Sequence, residues 1–213
     1  MIKRLAMLAL LVLPTYGALS APARAQALVP GVDYVEISEP KPLEPLNGKI
    51  EVVEVFGYWC HYCAEFQPLV GAWKAKLPAD VRFTYLPAVY GRDDPFARAF
   101  YAAQNSKGLF ARTHDAVFQA VNADQTLPRN ASVDELAAFY AQHGADAAKF
   151  AAAMRDPSLD AKLARARDFA VAVGLPGTPT LIVNGKYRIL GNSYRDMLRI
   201  ADQLIDVERK ARR

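Results

Sequence analysis

Residues 50–63 read Ile50-Glu51-Val52-Val53-Glu54-Val55-Phe56-Gly57-Tyr58-Trp59-Cys60-His61-Tyr62-Cys63. The first seven are β-branched and apolar on both alternating faces, the pattern of a strand buried on both sides in a parallel sheet. That strand runs into Gly57 and then into two cysteines separated by two residues. From Cys60 onward, Phe66, Leu69, Val70, Trp73 and Leu77 recur at helical spacing. Pro68 falls inside that helix, where it is expected to kink it, and Pro78 ends it. Residues 81–86 alternate and predict the next strand. The order is strand, helix, strand, with Cys-X-X-Cys at the strand-to-helix turn.

That spacing sets the chemistry. Two intervening residues put the sulfurs one helical turn apart, about 300° around the axis, so they face each other. Cys60 comes first, at the helix N-terminus, where unpaired N–H groups and the positive end of the macrodipole favour a thiolate. A protonated His61 would add a second favourable charge. A lowered pKa makes Cys60 the nucleophile and the better leaving group, and it makes the disulfide more oxidising. Cys63 lies one turn inward and is expected to be more buried, as the resolving thiol. The alternatives are weaker. A closed zinc site needs four ligands, and His114 and His143 sit in helical segments without ligand spacing. A structural disulfide across so short a loop gains little from loop entropy. No metal or cofactor is expected.

Outward from this core, residues 28–48 are rich in Pro and Gly, with one short apolar stretch at 32–37 that suggests an edge strand. Beyond residue 86 the next strand signal comes only at residues 180–183. The interval is far longer than one crossover helix needs and is almost entirely helical in pattern. Residues 94–106 and 109–121 predict two helices broken at Gly108. Ser132-Val-Asp-Glu135 is a capping box that opens a third, and residues 146–154 form a short fourth. Leu159, Leu163, Ala166, Ala170 and Val173 mark a longer fifth. Then Gly177-Thr178-Pro179-Thr180-Leu181-Ile182-Val183 returns to strand, Asn184-Gly185 signals a hairpin, and residues 186–190 pair back. Leu198, Ala201, Leu204 and Ile205 mark a final helix. The reading is an α/β domain over 26–90 and 176–213, with an inserted helical domain over 91–175.

The first 25 residues stand apart. Lys3 and Arg4 precede a short apolar run, Pro14 breaks it, and Ala23-Arg24-Ala25 and Ala25-Gln26-Ala27 are small-residue cleavage patterns, so a secretory signal peptide is expected. The run is shorter than the about 20 apolar residues a membrane helix needs. Lys3, Arg4 and Arg24 supply three of the formal net charge of +4, so the basic balance says little about partners. The basic tail at 209–213 is expected to cap and solvate the last helical turn. Nucleic-acid binding would need a basic stripe with aromatic platforms, and the sequence has none. Two cysteines in an exported chain of 213 residues suggest chemistry rather than a structural framework.

With these features together the chain resembles the DsbA family of bacterial periplasmic dithiol oxidases. The resemblance spans nearly the whole mature chain. It rests on the Glu54–Cys63 segment, on the helical insertion, and on Gly177-Thr-Pro-Thr-Leu-Ile-Val-Asn-Gly-Lys-Tyr187. It implies a thioredoxin fold, a cis Thr178–Pro179 bond beside the cysteines, and a loop there that offers its backbone to a substrate strand. It matches Glu54 to the family's buried acid, which would shift protons at Cys63; the alternative is a strand-end Glu paired to Lys49 or Lys186. Tyr58, Trp59 and Tyr62 could rim the site for unfolded chains. The pair His61-Tyr62 departs from the Pro-His of familiar members, and Thr178 is also common among isomerases and reductases.

The expected function is donation of the Cys60–Cys63 disulfide to folding secreted proteins with free cysteines. The protein would work in the periplasm as a monomer, reoxidised by a membrane quinone oxidoreductase of the DsbB kind. The competing readings are a disulfide isomerase or reductase, and a non-enzymatic chaperone using the Pro179 groove. Isomerases of the DsbC kind carry a separate N-terminal dimerisation domain, for which about 20 residues before the first strand of the core leave no room.

Overall fold

In the computed structural model, residues 27–91 and 93–212 are described; the expected signal peptide over 1–25 lies outside them. A five-stranded sheet holds β1 (Tyr34–Glu36), β2 (Ile50–Phe56), β3 (Val81–Pro87), β4 (Thr180–Val183) and β5 (Tyr187–Ile189). The strand order is β1-β5-β4-β2-β3. β2 runs parallel to β3 and antiparallel to β4, with Val52 opposite Val183 and Glu54 opposite Leu181. All seven residues of β2 are buried, as the two-faced apolar pattern required. The thioredoxin-type α/β fold with a helical insertion is therefore the fold of this chain.

Alternation along β2 divides the core in two. Ile50 and Val52 pack with Phe66 and Val70 of α1 (His61–Lys74) and with Ile200 and Leu204 of α7 (Tyr194–Ala211). Val53 and Val55 face a larger cluster built with the insertion: α2 (Pro95–Gln104), α3 (Leu109–Phe118), α4 (Val133–Gln142), α5 (Ala147–Met154) and α6 (Ser158–Ala172). Glu54 shares the even-numbered face, beneath α1.

Local chemistry sets the element ends. Asp94 caps α2 by accepting from the Ala97 N–H at 3.0 Å, with Pro95 in the first turn. The Ser132–Glu135 capping box forms in both directions. Asn184 and Gly185 have φ of 53° and 60°, the paired positive values of a tight hairpin turn. Three details differ from the sequence reading. α1 ends at Lys74, well before Pro78. The buried stripe of α6 uses Phe169 in place of Ala170, because the larger ring fills the space beside Ala166 and Val173. The basic tail does more than cap its helix. Arg209 pairs with Asp80 at 2.7 Å and Arg212 donates to the carbonyls of Gly48 and Lys49, tying α7 to the chain entering β2 and β3.

Candidate active site

Cys60 is the N-cap residue of α1, in extended backbone conformation, and Cys63 sits in its first turn. Both are free thiols. Cys63 is fully buried, whereas Cys60 keeps 8% exposure and is the more accessible of the two. The Cys60 thiol donates to the Thr178 carbonyl at 3.3 Å. The Thr178–Pro179 peptide bond is cis. The strand-to-helix turn and the return loop thus meet at one sulfur.

The two thiols are driven in opposite directions. A hydrogen bond from Cys63, helped by the Thr178 side chain and by the backbone at Cys63 and Tyr62, holds Cys60 down at about 5 against the pull of burial. Burial pushes Cys63 far up, and the neighbouring Cys60 adds to it. The facing thiol is the leading influence on Cys60, and the N–H groups of the helix N-terminus add to it. His61 follows Cys60 on the exposed face of α1. Its ring lies against Tyr62 and its Nε2 sits 3.7 Å from Glu65, one turn along the exposed face of α1.

Beneath Cys63 lies Glu54. It is fully buried, and neither carboxylate oxygen has a hydrogen-bond partner. Burial pushes its carboxyl up to about 8, opposed by Lys74. The alternative pairings do not form: Lys49 donates to the Ala79 carbonyl, and Lys186 pairs with Glu208 at 3.1 Å. Around Glu54 runs a polar chain that the sequence did not announce. Lys74 donates to the Tyr85 hydroxyl at 3.3 Å, and Gln67 donates to that hydroxyl at 3.1 Å and to Asp115 at 2.9 Å. Gln67 and Asp115 open onto a cleft of about 480 Å³ that also touches His61, Glu65 and Asn122.

The aromatic rim needs a correction. Tyr58 is a core residue, 2% exposed, whose hydroxyl meets His114 Nδ1 at 2.8 Å. His114 is itself buried among aromatic rings and pushed down to about 3, so it stays neutral. Its neutral ring is a partner for Tyr58. Trp59 is half-buried and folds back over Gly57, where an added Cβ would lie 2.6 Å from the indole. Tyr62 is 56% exposed. A further aromatic, Tyr90, meets the Trp59 ring edge-on at 5.3 Å. It sits three residues past the end of β3, far from the cysteines in sequence, so nothing in the local pattern pointed to it.

One tether crosses from the insertion to the reactive turn. After α3 the chain makes a π-helical turn, Gln119–Ala123. Asn122 in that turn donates to the Tyr58 carbonyl at 2.8 Å.

The comparisons with known proteins agree with this geometry. Residues 94–201 match the family model of the DSBA-like thioredoxin domain. The thiol:disulfide interchange protein DsbA of Pseudomonas aeruginosa is 37% identical over 192 residues, covering 89% of this chain and 90% of that protein. The protein of the same name from Azotobacter vinelandii is 36% identical over 184 residues, covering 85% of each. The crystal structure of the oxidoreductase DsbA from Xylella fastidiosa superposes with a TM-score of 0.82 at 45% identity, covering 86% of this chain and 98% of that one.

Proposed function

The chain belongs to the DsbA family of thioredoxin-fold thiol:disulfide oxidoreductases, and on that premise we propose that it oxidises thiols of folding secreted proteins with its Cys60–Cys63 disulfide. The observation that carries the direction is the asymmetry of the pair: a Cys60 thiol held at about 5 beside a Cys63 thiol pushed far up. A thiol that is a stable thiolate when reduced makes the reduced protein the favoured product, and so makes the disulfide a strong acceptor of electrons.

The reaction follows in two exchanges. A substrate thiolate attacks Cys60 Sγ, the more accessible sulfur, along the edge offered by Thr178 and Pro179. The Cys60–Cys63 bond breaks and its electron pair leaves on Cys63. Cys63 is a poor leaving group as a buried thiolate. Glu54, protonated at neutral pH, supplies the proton that makes it a thiol. Lys74 then stands beside the carboxylate left behind, and the polar chain through Tyr85 and Gln67 leads from there to the cleft at Asp115. A second substrate thiolate attacks the substrate sulfur of the mixed disulfide and releases Cys60 as its stable thiolate. Two substrate thiols become one disulfide, and the protein becomes a dithiol. His61, Trp59 and Tyr62 edge the surface that the substrate chain approaches.

Export to the periplasm is supported by the signal-like residues 1–25 and by the family. Return of the dithiol to the disulfide would fall to a membrane quinone oxidoreductase of the DsbB kind. The first test is the equilibrium of the Cys60–Cys63 pair with glutathione, read by Trp59 fluorescence, together with the thiolate absorbance titration of Cys60. The expected result is a disulfide more oxidising than glutathione and a Cys60 titration near 5. A more reducing disulfide, with Cys60 near the free value of about 8.5, would overturn the oxidase direction and favour reduction or isomerisation.

A further inference from the structure

α6 returns the chain to the sheet through residues 173–179, and its last turn is closed by its own backbone. The Leu175 N–H reaches the Ala170 carbonyl and the Gly174 N–H reaches the Val171 carbonyl, with Gly174 at φ 58°. This is the paired-bond helix stop in which a left-handed glycine satisfies the orphan carbonyls. The helix therefore needs no outside group to end it. Arg188 of β5 comes there nevertheless. Its Nη1 donates to the Val173 carbonyl at 2.9 Å and to the Gly174 carbonyl beside it. Both carbonyls lie beyond the last helical residue, Ala172, where the loop toward Thr178 begins.

Arg188 reaches these carbonyls with its Nε buried and without a hydrogen-bond partner, an unfavourable state for a donor. Gly174 makes room for it: a Cβ there would stand 2.8 Å from Arg188 Nη1. The backbone behind Arg188 is paired on both sides, opposite Val35 of β1 and Ile182 of β4. β4 is also the strand into which the loop runs. Its first residue, Thr180, donates its hydroxyl to the Gly177 carbonyl at 2.8 Å. The loop is thus gripped at 173–174 from β5 and at 177 from β4. Thr178 follows directly, and its carbonyl accepts from the Cys60 thiol at 3.3 Å. Gly174 and Thr178 are four residues apart, at most about 14 Å of chain.

We infer that Arg188 is a positioning residue for thiol–disulfide exchange: by gripping the chain as it leaves α6, it holds Thr178 in register with Cys60 Sγ. The inference rests on the exchange at Cys60 described above and adds a residue that acts on that sulfur through Thr178. Thr178 meets the Cys60 thiol with its carbonyl and helps to hold the thiolate with its side chain. Releasing the grip lets the loop shift, and a displacement of about 1 Å near reacting atoms costs rate out of proportion to its size.

The test compares the full-length protein with Arg188→Ala and Arg188→Lys. Each is equilibrated with glutathione, and the thiolate absorbance of Cys60 is titrated, at low salt and at about 1 M salt. Melting curves report folding. Arg188→Ala should make the disulfide about tenfold less oxidising and raise the Cys60 titration by about one unit, two readings of the same free energy. A change of position is not screened, so both shifts should be the same at the two salt concentrations. Arg188→Lys keeps the charge on a side chain that stops one atom short, and should move both quantities the same way by less; it decides the matter if Arg188→Ala does not fold. A lowered melting temperature with a native equilibrium and a native Cys60 titration makes Arg188 a brace on the helix end and overturns the inference. A shift that salt abolishes, the mark of bare charge, overturns it as well. The oxidase direction is read separately, from the native protein's own equilibrium with glutathione, so the two failures are distinct.

Discussion

Glu54 carries a cost that the molecule accepts for its site. A buried carboxyl with no hydrogen-bond partner favours the neutral form, and its ordinary value of 4.5 rises to about 8. A group whose pKa is raised on folding contributes stability that is present below its unfolded value and is lost as pH climbs through the folded one. Glu54→Gln should therefore match the native protein in stability near pH 4.5 and exceed it increasingly toward pH 8, while slowing release of Cys63 in single-turnover oxidation. Denaturant titrations across that range check it; parallel stability curves for the two proteins would contradict it. Tyr58 makes a different point. Its hydroxyl is the partner of a neutral buried His114, so Tyr58→Phe should cost about 1–3 kcal/mol by stranding that ring nitrogen. A melting curve unchanged by the substitution would argue against that bond. The two cysteines were legible because helix spacing makes them face each other, and the burial of Glu54 because it stands among Val53, Val55 and Phe56; its place beneath the cysteines came from the family resemblance. Tyr58 was misread because an aromatic side chain next to a reactive turn carries no local mark of whether it faces inward or outward.

The hairpin between β4 and β5 fixes the register of the strand that borders the reactive turn. Gly185 holds φ of 60°, and a Cβ there would lie 2.0 Å from the Lys41 carbonyl oxygen. Gly185→Ala should thus destabilise by more than the about 1–3 kcal/mol of a strained φ alone, because backbone has to move as well. Thermal unfolding measures this directly, and a loss below about 1 kcal/mol would show that the 41–42 segment yields easily. Most elements could be read from residue patterns: the capping box at Ser132, the Asn-Gly turn, the two-faced apolar run of β2. The π-helical turn at 119–123 could not. It breaks helical periodicity by a single extra residue, too slight a change to see among the small residues Ala120 and Ala123. Its purpose, the bond from Asn122 to the Tyr58 carbonyl, depends on packing between segments 64 residues apart. Lys74 and Gln67 were hidden for a similar reason, since polar residues along an amphipathic helix look like solvated face until the neighbouring strand supplies Tyr85.

Across the whole molecule the redox state and the stability are linked through Cys60. Its thiol is lowered on folding, so the stability it brings to the dithiol protein is present in full above its unfolded value of about 9 and is lost as pH falls through about 5. The disulfide protein has no such ionisation. The dithiol protein should therefore melt above the disulfide protein at neutral pH, and the gap should shrink as the pH is lowered to about 5. Paired calorimetric scans of both forms test this, and a gap independent of pH would remove Cys60 as its source. The division of the chain into strand–helix–strand, helical interval and returning strands was legible from spacing alone. The order in which those strands lie in the sheet was less so, because it is set by pairing at long range rather than by any local pattern.

That strand order has a consequence in time. β4 is wedged between β2 and β5 yet belongs to the last stretch of the chain, and the Thr178 carbonyl that meets Cys60 lies 118 residues downstream of it. Contacts so distant in sequence form late and slowly. A chain emerging from its N-terminus displays both cysteines long before it can assemble the wall beside them. Until the final strands and α7 arrive, Cys60 lacks Thr178 and β2 lacks its neighbour β4. The oxidant is thus finished last, and a half-made copy is an unremarkable dithiol, itself in need of folding before it can act on other proteins.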